Sequence, residues 1–85
     1  MAEPRLTYEE LAEIVARCTG VTVEPAALEP PTVRFEELDV DSLGVLSIVA
    51  ELERRHRLVL GPDAEDTTTP RELLNLVNDL AANGE

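Results

Sequence analysis

The sequence predicts an all-α fold: a small bundle of three main helices plus one short helix. Three observations lead there. Three stretches place apolar residues at the 3, 4 and 7 spacings of a single helix face. Two of them open with the T-x-x-E pattern of a capping box. No stretch alternates long enough to make a sheet, since Val21-Thr22-Val23 and Leu58-Val59-Leu60 are isolated short runs. At 85 residues the chain is expected to form one small domain, residues 1–85.

The first helix is expected over residues 7–19. Thr7 and Glu10 make its capping box, the hydroxyl accepting from a first-turn N–H and the carboxylate reaching back. Leu11, Ile14, Val15 and Cys18 form its stripe, and Gly20 suits a left-handed stop. Residues 20–41 are a long connection carrying Pro25, Pro30 and Pro31. Connections of that length are functional or disordered. Here Val33, Phe35, Leu38 and Val40 can tuck it against the helices.

The middle helix begins near Asp41-Ser42 and runs to about Arg57. Val45, Ile48, Val49, Leu52 and His56 share the face expected to enter the core. Leu43, Leu46 and Ala50 lie on another side, near Ser47, Glu51 and Arg54. A helix apolar on two sides is either doubly buried or offers one side to a partner. Residues 58–69 hold Gly61-Pro62 and a PDAED stretch that suits a short helical turn. The last helix is expected over 70–82. Thr69 caps it, Pro70 sits where a missing N–H costs nothing, and Glu72 closes the box. Leu73, Leu76, Val77 and Leu80 make its stripe, with Gly84 following.

Composition removes whole classes of function. The formal charge is −11, and all seven cations are arginine. A chain that acidic repels a phosphate backbone, and with only Tyr8 and Phe35 it lacks aromatic platforms for single strands. No apolar run approaches the roughly 18–20 residues of a membrane span, and MAEPRLTYEE is not a secretory signal. One cysteine and one histidine make neither a disulfide framework nor a zinc site. The expected protein is a cytoplasmic monomer with no nucleic-acid or membrane partner, drawn to proteins with basic docking surfaces.

Chemistry concentrates at Asp41-Ser42-Leu43. Ser42 or Asp41 can serve as the N-cap of the middle helix. A hydrolase is ruled out by geometry. The only histidine, His56, is fourteen residues along the same helix, roughly 21 Å away, and carboxylates surround the serine. A calcium loop is ruled out because Leu43 and Ala50 stand where oxygen ligands are required. No residue is expected to be catalytic. A hydroxyl at a helix N-terminus is instead suited to modification. A phosphodiester there gains about 0.3–1 kcal/mol from the helix dipole. Cys18, on an apolar stripe, reads as a small buried hydrophobe. His56 reads as a residue at the edge of the core with its polar tip near solvent. The acidic run Glu36, Glu37, Asp39 and Asp41 can steer basic enzymes to Ser42.

The stretch Phe35-Glu-Glu-Leu-Asp-Val-Asp41-Ser42-Leu43 resembles the modification site of acyl carrier proteins. TPRELLNLVNDL, Thr69 to Leu80, resembles the last helix of carriers from type II (dissociated) aromatic polyketide synthases. The resemblance covers nearly the whole chain and implies an acyl-carrier-like four-helix bundle. It implies that Ser42 carries covalent 4′-phosphopantetheine, attached from coenzyme A by a phosphopantetheinyl transferase. The arm's thiol would hold acyl or polyketide intermediates for ketosynthase, acyltransferase and tailoring enzymes. Asp41, Leu43, Leu46 and Ala50 become the expected partner contacts, and a cavity between helices the expected shelter for an acyl chain.

The sequence departs from that pattern in places. Asp39-Val40 replaces the usual Gly-Tyr before the motif, and Ser47 stands where an acid is common. Gly44 is expected to let an enzyme or the arm approach closely. Arg54-Arg55-His56-Arg57 makes the helix end basic, which complements the dipole there. Two other readings compete: a peptidyl or aminoacyl carrier, and an unmodified acidic helical adaptor or nucleic-acid mimic. Peptidyl carriers usually have histidine where Asp41 stands, which favours acyl cargo.

Overall fold

The computed structural model describes residues 6–83. It contains α1 (Tyr8–Thr19), α2 (Pro25–Leu28), a 3-10 turn (Phe35–Leu38), α3 (Ser42–His56), α4 (Pro62–Glu65) and α5 (Pro70–Asn83). The described residues contain no strand. Gly84 and residues 1–5 lie outside the described residues. The three long helices and α4 stand where the sequence predicts them. The long connection is more structured than expected, since it holds both α2 and the 3-10 turn. Pro25 opens α2 at a position where its missing N–H costs nothing, and Leu28 at its end is fully buried.

Each long helix starts through a side chain. The Thr7 hydroxyl accepts from Glu10 N–H at 3.1 Å, and the Thr69 hydroxyl accepts from Glu72 N–H at 3.1 Å. Neither box closes in the usual way. Glu72 reaches one residue further back and accepts from Thr68 N–H at 3.1 Å. Glu10 turns away from its own helix, and its Oε2 lies 3.2 Å from His56 Nε2 at the end of α3. Gly20 stops α1 in the left-handed conformation with φ +78°.

α1, α3 and α5 enclose one core. Leu11, Ile14, Val15, Ile48, Leu52, Leu73 and Val77 are fully or almost fully buried in it. The α3 face reads as expected, with Val45, Ile48, Val49 and Leu52 all inside. The α5 face is rotated from the expected one. Leu73, Leu74, Val77 and Ala81 are buried, while Leu76 and Leu80 are half-buried. The connection is drawn in by Phe35 and Val40, both buried, and fastened where Phe35 N–H donates to Thr68 O at 2.9 Å. Leu6 is fully buried just before the Thr7 cap. The Asn78 amide clasps its backbone, accepting from Leu6 N–H at 2.8 Å and donating to Leu6 O at 3.1 Å.

Gly44 answers a packing need, not an approach by a partner. It is buried, and a Cβ there would lie 3.0 Å from both Thr19 Cγ2 and Val40 Cγ1. Thr19 has little room to yield: its hydroxyl donates to Val15 O at 2.7 Å and accepts from Val21 N–H at 3.2 Å. Alanine gains about 1 kcal/mol in helix propensity, but overpacking costs about 1–3 kcal/mol. Gly44→Ala is therefore expected to lower the denaturation midpoint, and adding Thr19→Ser to recover part of the loss. A Gly44→Ala protein more stable than wild type would show that this junction is loose.

The far end of α3 is tied to α1 by charge. Arg55 Nε donates to Glu51 Oε2 at 2.8 Å, while Arg55 Nη1 lies 3.5 Å from both Glu10 Oε2 and Glu13 Oε1. Arg54 pairs with the other oxygen of Glu51. The hydrogen bond from Arg55 chiefly, with Arg54 beside it, holds the Glu51 carboxyl below its ordinary pKa of 4.5. A depressed carboxyl stabilises the fold above its unfolded-state pKa, and that stabilisation disappears as pH falls through the folded-state value. Wild type is thus expected to lose stability below about pH 4.5, and Glu51→Gln to lose less of it over the same interval. Urea midpoints between pH 6 and pH 3 give the comparison. Parallel curves for the two proteins would exclude this contribution.

Candidate functional site

The site is built by the way the chain enters α3. After the 3-10 turn, Asp39 takes a left-handed conformation with φ +64°, and its N–H donates to Glu36 O at 3.2 Å. Asparagine and aspartate are the non-glycine residues that best tolerate that conformation. The turn sends Val40 inward, its N–H donating to Phe35 O at 3.0 Å, and leaves Asp41 and Ser42 exposed. Asp41 is the N-cap: its Oδ1 accepts from Gly44 N–H at 2.8 Å, and its carbonyl accepts from Val45 N–H at 3.0 Å. Ser42 is the first helical residue, exposed, and relieved of the capping duty that would engage its hydroxyl. The sequence left open which of the two residues caps; the geometry decides for Asp41.

The predicted partner residues share one surface. Leu43 is 71% exposed and Leu46 41% exposed, and Ala50 is exposed beyond them. The second apolar side of α3 is therefore open to solvent, opposite the buried face. Leu43 and Leu46 are thus large apolar side chains that the core leaves uncovered. The acids Glu36, Glu37, Asp39 and Asp41 are exposed beside Ser42, with Glu65 and Asp66 on the neighbouring α4 end.

Two open clefts flank this end of α3. One, of about 350 Å³, is lined by Arg34, Phe35, Val40, Ser42, Val45 and Thr68. The other, of about 270 Å³, lies between α1 and α3 against Cys18, Thr19, Asp41, Leu43, Gly44 and Ser47. Arg34 and Thr68 carried no signal in the sequence. They reach the site because the 3-10 turn is fastened to the α4–α5 connection.

Cys18 is half-buried where full burial was expected, with Sγ donating to Ser47 O at 3.6 Å. Burial, with the Glu51 charge next in weight, pushes its thiol pKa above the ordinary value of 9.0. It stays protonated at neutral pH and a poor nucleophile. His56 is less open to solvent than expected: its side chain is 11% exposed, and its polar tip faces Glu10.

The bundle presents an exposed hydroxyl at the mouth of a helix, with the carboxylates of Asp39 and Asp41 exposed close by in the chain. Residues 9–77 match the family model described as the phosphopantetheine attachment site. A probable acyl carrier protein from Streptomyces coelicolor is 44% identical over 75 residues, 87% of this chain and 83% of that one. The curamycin polyketide synthase acyl carrier protein of Streptomyces cyaneus is 40% identical over 80 residues, 94% and 92% of the two chains. The solution structure of 3,5-dioxohexyl ACP, a triketide mimic from the actinorhodin polyketide synthase in Streptomyces coelicolor, superimposes with a TM-score of 0.77. It is 32% identical and covers 100% of both chains. The chain belongs to the acyl carrier proteins. It carries acyl groups through covalently bound 4′-phosphopantetheine and is a carrier rather than a catalyst. The unmodified adaptor reading falls with the family match.

Proposed function

We propose that Ser42 is the attachment residue and that the protein carries polyketide intermediates in a dissociated synthase. The observation that carries this reading is the exposed Ser42 at the first position of α3, with the cap supplied by Asp41. The surroundings fit the group. The hydroxyl is accessible to a second protein's active site, and the first-turn N–H groups favour an anion by about 0.3–1 kcal/mol. A phosphopantetheinyl transferase supplies the group from coenzyme A. Ser42 Oγ forms the new bond to phosphorus, its proton passes to the transferase, and adenosine bisphosphate leaves. Once attached, the arm supplies a terminal thiol that holds the acyl group as a thioester.

Asp41, Leu43, Leu46 and Ala50 are the proposed contacts for the transferase, ketosynthase, acyltransferase and tailoring enzymes. Asp41 has two roles, since its carboxylate both caps α3 and adds to the acidic margin that draws basic enzymes. The polyketide cargo is supported by relatives named for the curamycin and actinorhodin synthases. The protein is taken to act in the cytoplasm as one carrier domain and as a monomer; no helix among the described residues is long and apolar enough to cross a membrane.

The test is incubation with coenzyme A and a promiscuous phosphopantetheinyl transferase, read by intact-protein mass spectrometry. Wild type is expected to gain one phosphopantetheine and Ser42→Ala none. Modification of the alanine variant, or none of the wild type, overturns the assignment.

A further inference from the structure

The exposed face of α3 does not end in the apolar patch. At 100° per residue, Leu43, Leu46, Ser47, Ala50 and Arg54 fall on one side of α3, opposite Ile48 and Leu52, and Arg57 is the C-cap residue that follows the helix. All six are exposed. Arg54 is 79% exposed at its side chain, and Arg57 follows as the last residue of the helix margin. They stand roughly 18 and 22 Å from Ser42 along the helix.

Helix-dipole stabilisation is the ordinary account of cations at this end. Two observations go beyond it. Arg55 and His56 already occupy that end, turned toward Glu10 and Glu13 of α1. Arg57, moreover, adopts the left-handed C-cap conformation with φ +57°, which glycine fills most readily. A residue with a Cβ is less favourable there, yet an exposed arginine stands in the place.

The surface is therefore polarised. Glu36, Asp39 and Asp41 lie at the Ser42 end, Leu43, Leu46 and Ala50 in the middle, and Arg54 and Arg57 at the far end. On a chain of net charge −11, a basic surface is attracted at many points, so net attraction alone cannot orient a partner. Opposite charges at the two ends of one face can, because the reversed pose sets like charges together.

We propose that Arg54 and Arg57 are a specificity contact that takes carboxylate side chains on the partner synthase enzyme, about one helix length from the rim its active site presents to Ser42. The proposal rests on the α3 face being the docking surface. It commits to one occupant: an enzyme surface basic at the Ser42 end and acidic at the far end.

The probe is the ketosynthase of a dissociated aromatic polyketide synthase, titrated into ¹⁵N-labelled protein carrying Ser42→Ala. That variant removes any dependence on the arm. Arg54 and Arg57 side-chain N–H signals are expected to shift together with the backbone signals of Leu43, Leu46 and Ala50. Arg54→Glu with Arg57→Glu is expected to weaken binding about tenfold, and Arg54→Lys with Arg57→Lys to restore it to within about threefold.

Arg57→Gly separates the two accounts of this residue. It is expected to raise the denaturation midpoint while weakening binding, since glycine relieves the left-handed backbone and removes the charge. Shifts confined to residues 43–50, charge reversal without effect, or tighter binding after reversal each overturn the proposal. So does a complete lack of shifts. Failure of Ser42 to accept the arm would appear separately, in the mass of the wild-type protein.

Discussion

Ile48→Glu is expected to leave the protein largely unfolded, whereas Leu46→Glu, two residues away, leaves it folded. Ile48 is 0% exposed and packs in the cluster with Leu11, Ile14 and Leu52. Replacing it forfeits about 1.5–3 kcal/mol of apolar burial. It also places a carboxyl in a core that holds no buried charged residue among the described residues, so the group must shed its charge or be buried at a cost of several kcal/mol. Domains are stable by about 5–15 kcal/mol in all, and one this small sits near the lower end. Leu46 is 41% exposed on the other side of the same helix, and a glutamate there remains in water. Circular dichroism with urea titration should give a vanished or strongly lowered transition for Ile48→Glu, and a near-wild-type one for Leu46→Glu. Enzyme coupling should show the reverse loss, with Leu46→Glu folded but poorly recognised. A stable Ile48→Glu protein would mean that α3 is rotated from its described position.

That rotation was legible in the sequence because a 15-residue helix offers enough turns for periodicity to separate two apolar faces. The final helix was less legible. Leu73, Leu74, Leu76, Val77 and Leu80 include more leucines than one face can hold, so spacing alone could not choose between Leu74 and Leu76. Burial of Leu74 is decided by what lies across from it. Leu6 carries a local signal: an apolar residue just before a threonine cap, with Leu11 at the fourth helical position, is the staple pattern, and both are fully buried. α2 carried the weaker signal of a proline opening a four-residue turn.

The site divides in the same way. Asp41-Ser42 at the mouth of α3 follows from local sequence, because capping is local. The clefts beside it do not, because they depend on Phe35 reaching Thr68 and on Gly44 meeting Thr19. The fate of Glu10 likewise needed the far end of α3 to lie beside the start of α1. Local chemistry made the box possible, and a tertiary partner took one half of it.

Ser42→Ala is expected to abolish loading while leaving stability unchanged or slightly higher, and that combination is what separates a modified serine from a structural one. The hydroxyl of a true N-cap is worth about 0.5–2 kcal/mol, so its removal would lower the denaturation midpoint. Here the cap belongs to Asp41, whose carboxylate holds Gly44 N–H at 2.8 Å, and Ser42 is already helical. Alanine is the better helix former at such a position, with nothing buried to lose. Asp41→Ala should behave in the opposite sense. It removes the cap and one steering charge, so stability falls by about 0.5–2 kcal/mol while loading slows without ending. Ser47 supplies the internal control, being the only other serine and exposed further along the same helix. It sits in the helix interior, where its neighbours' N–H groups are spent in the helix, and so it should gain no mass in the Ser42→Ala protein. An added phosphopantetheine on Ser47 in that variant, or a cap-sized loss of stability from Ser42→Ala, would show that the hydroxyl at the mouth of α3 serves the fold and not the cargo.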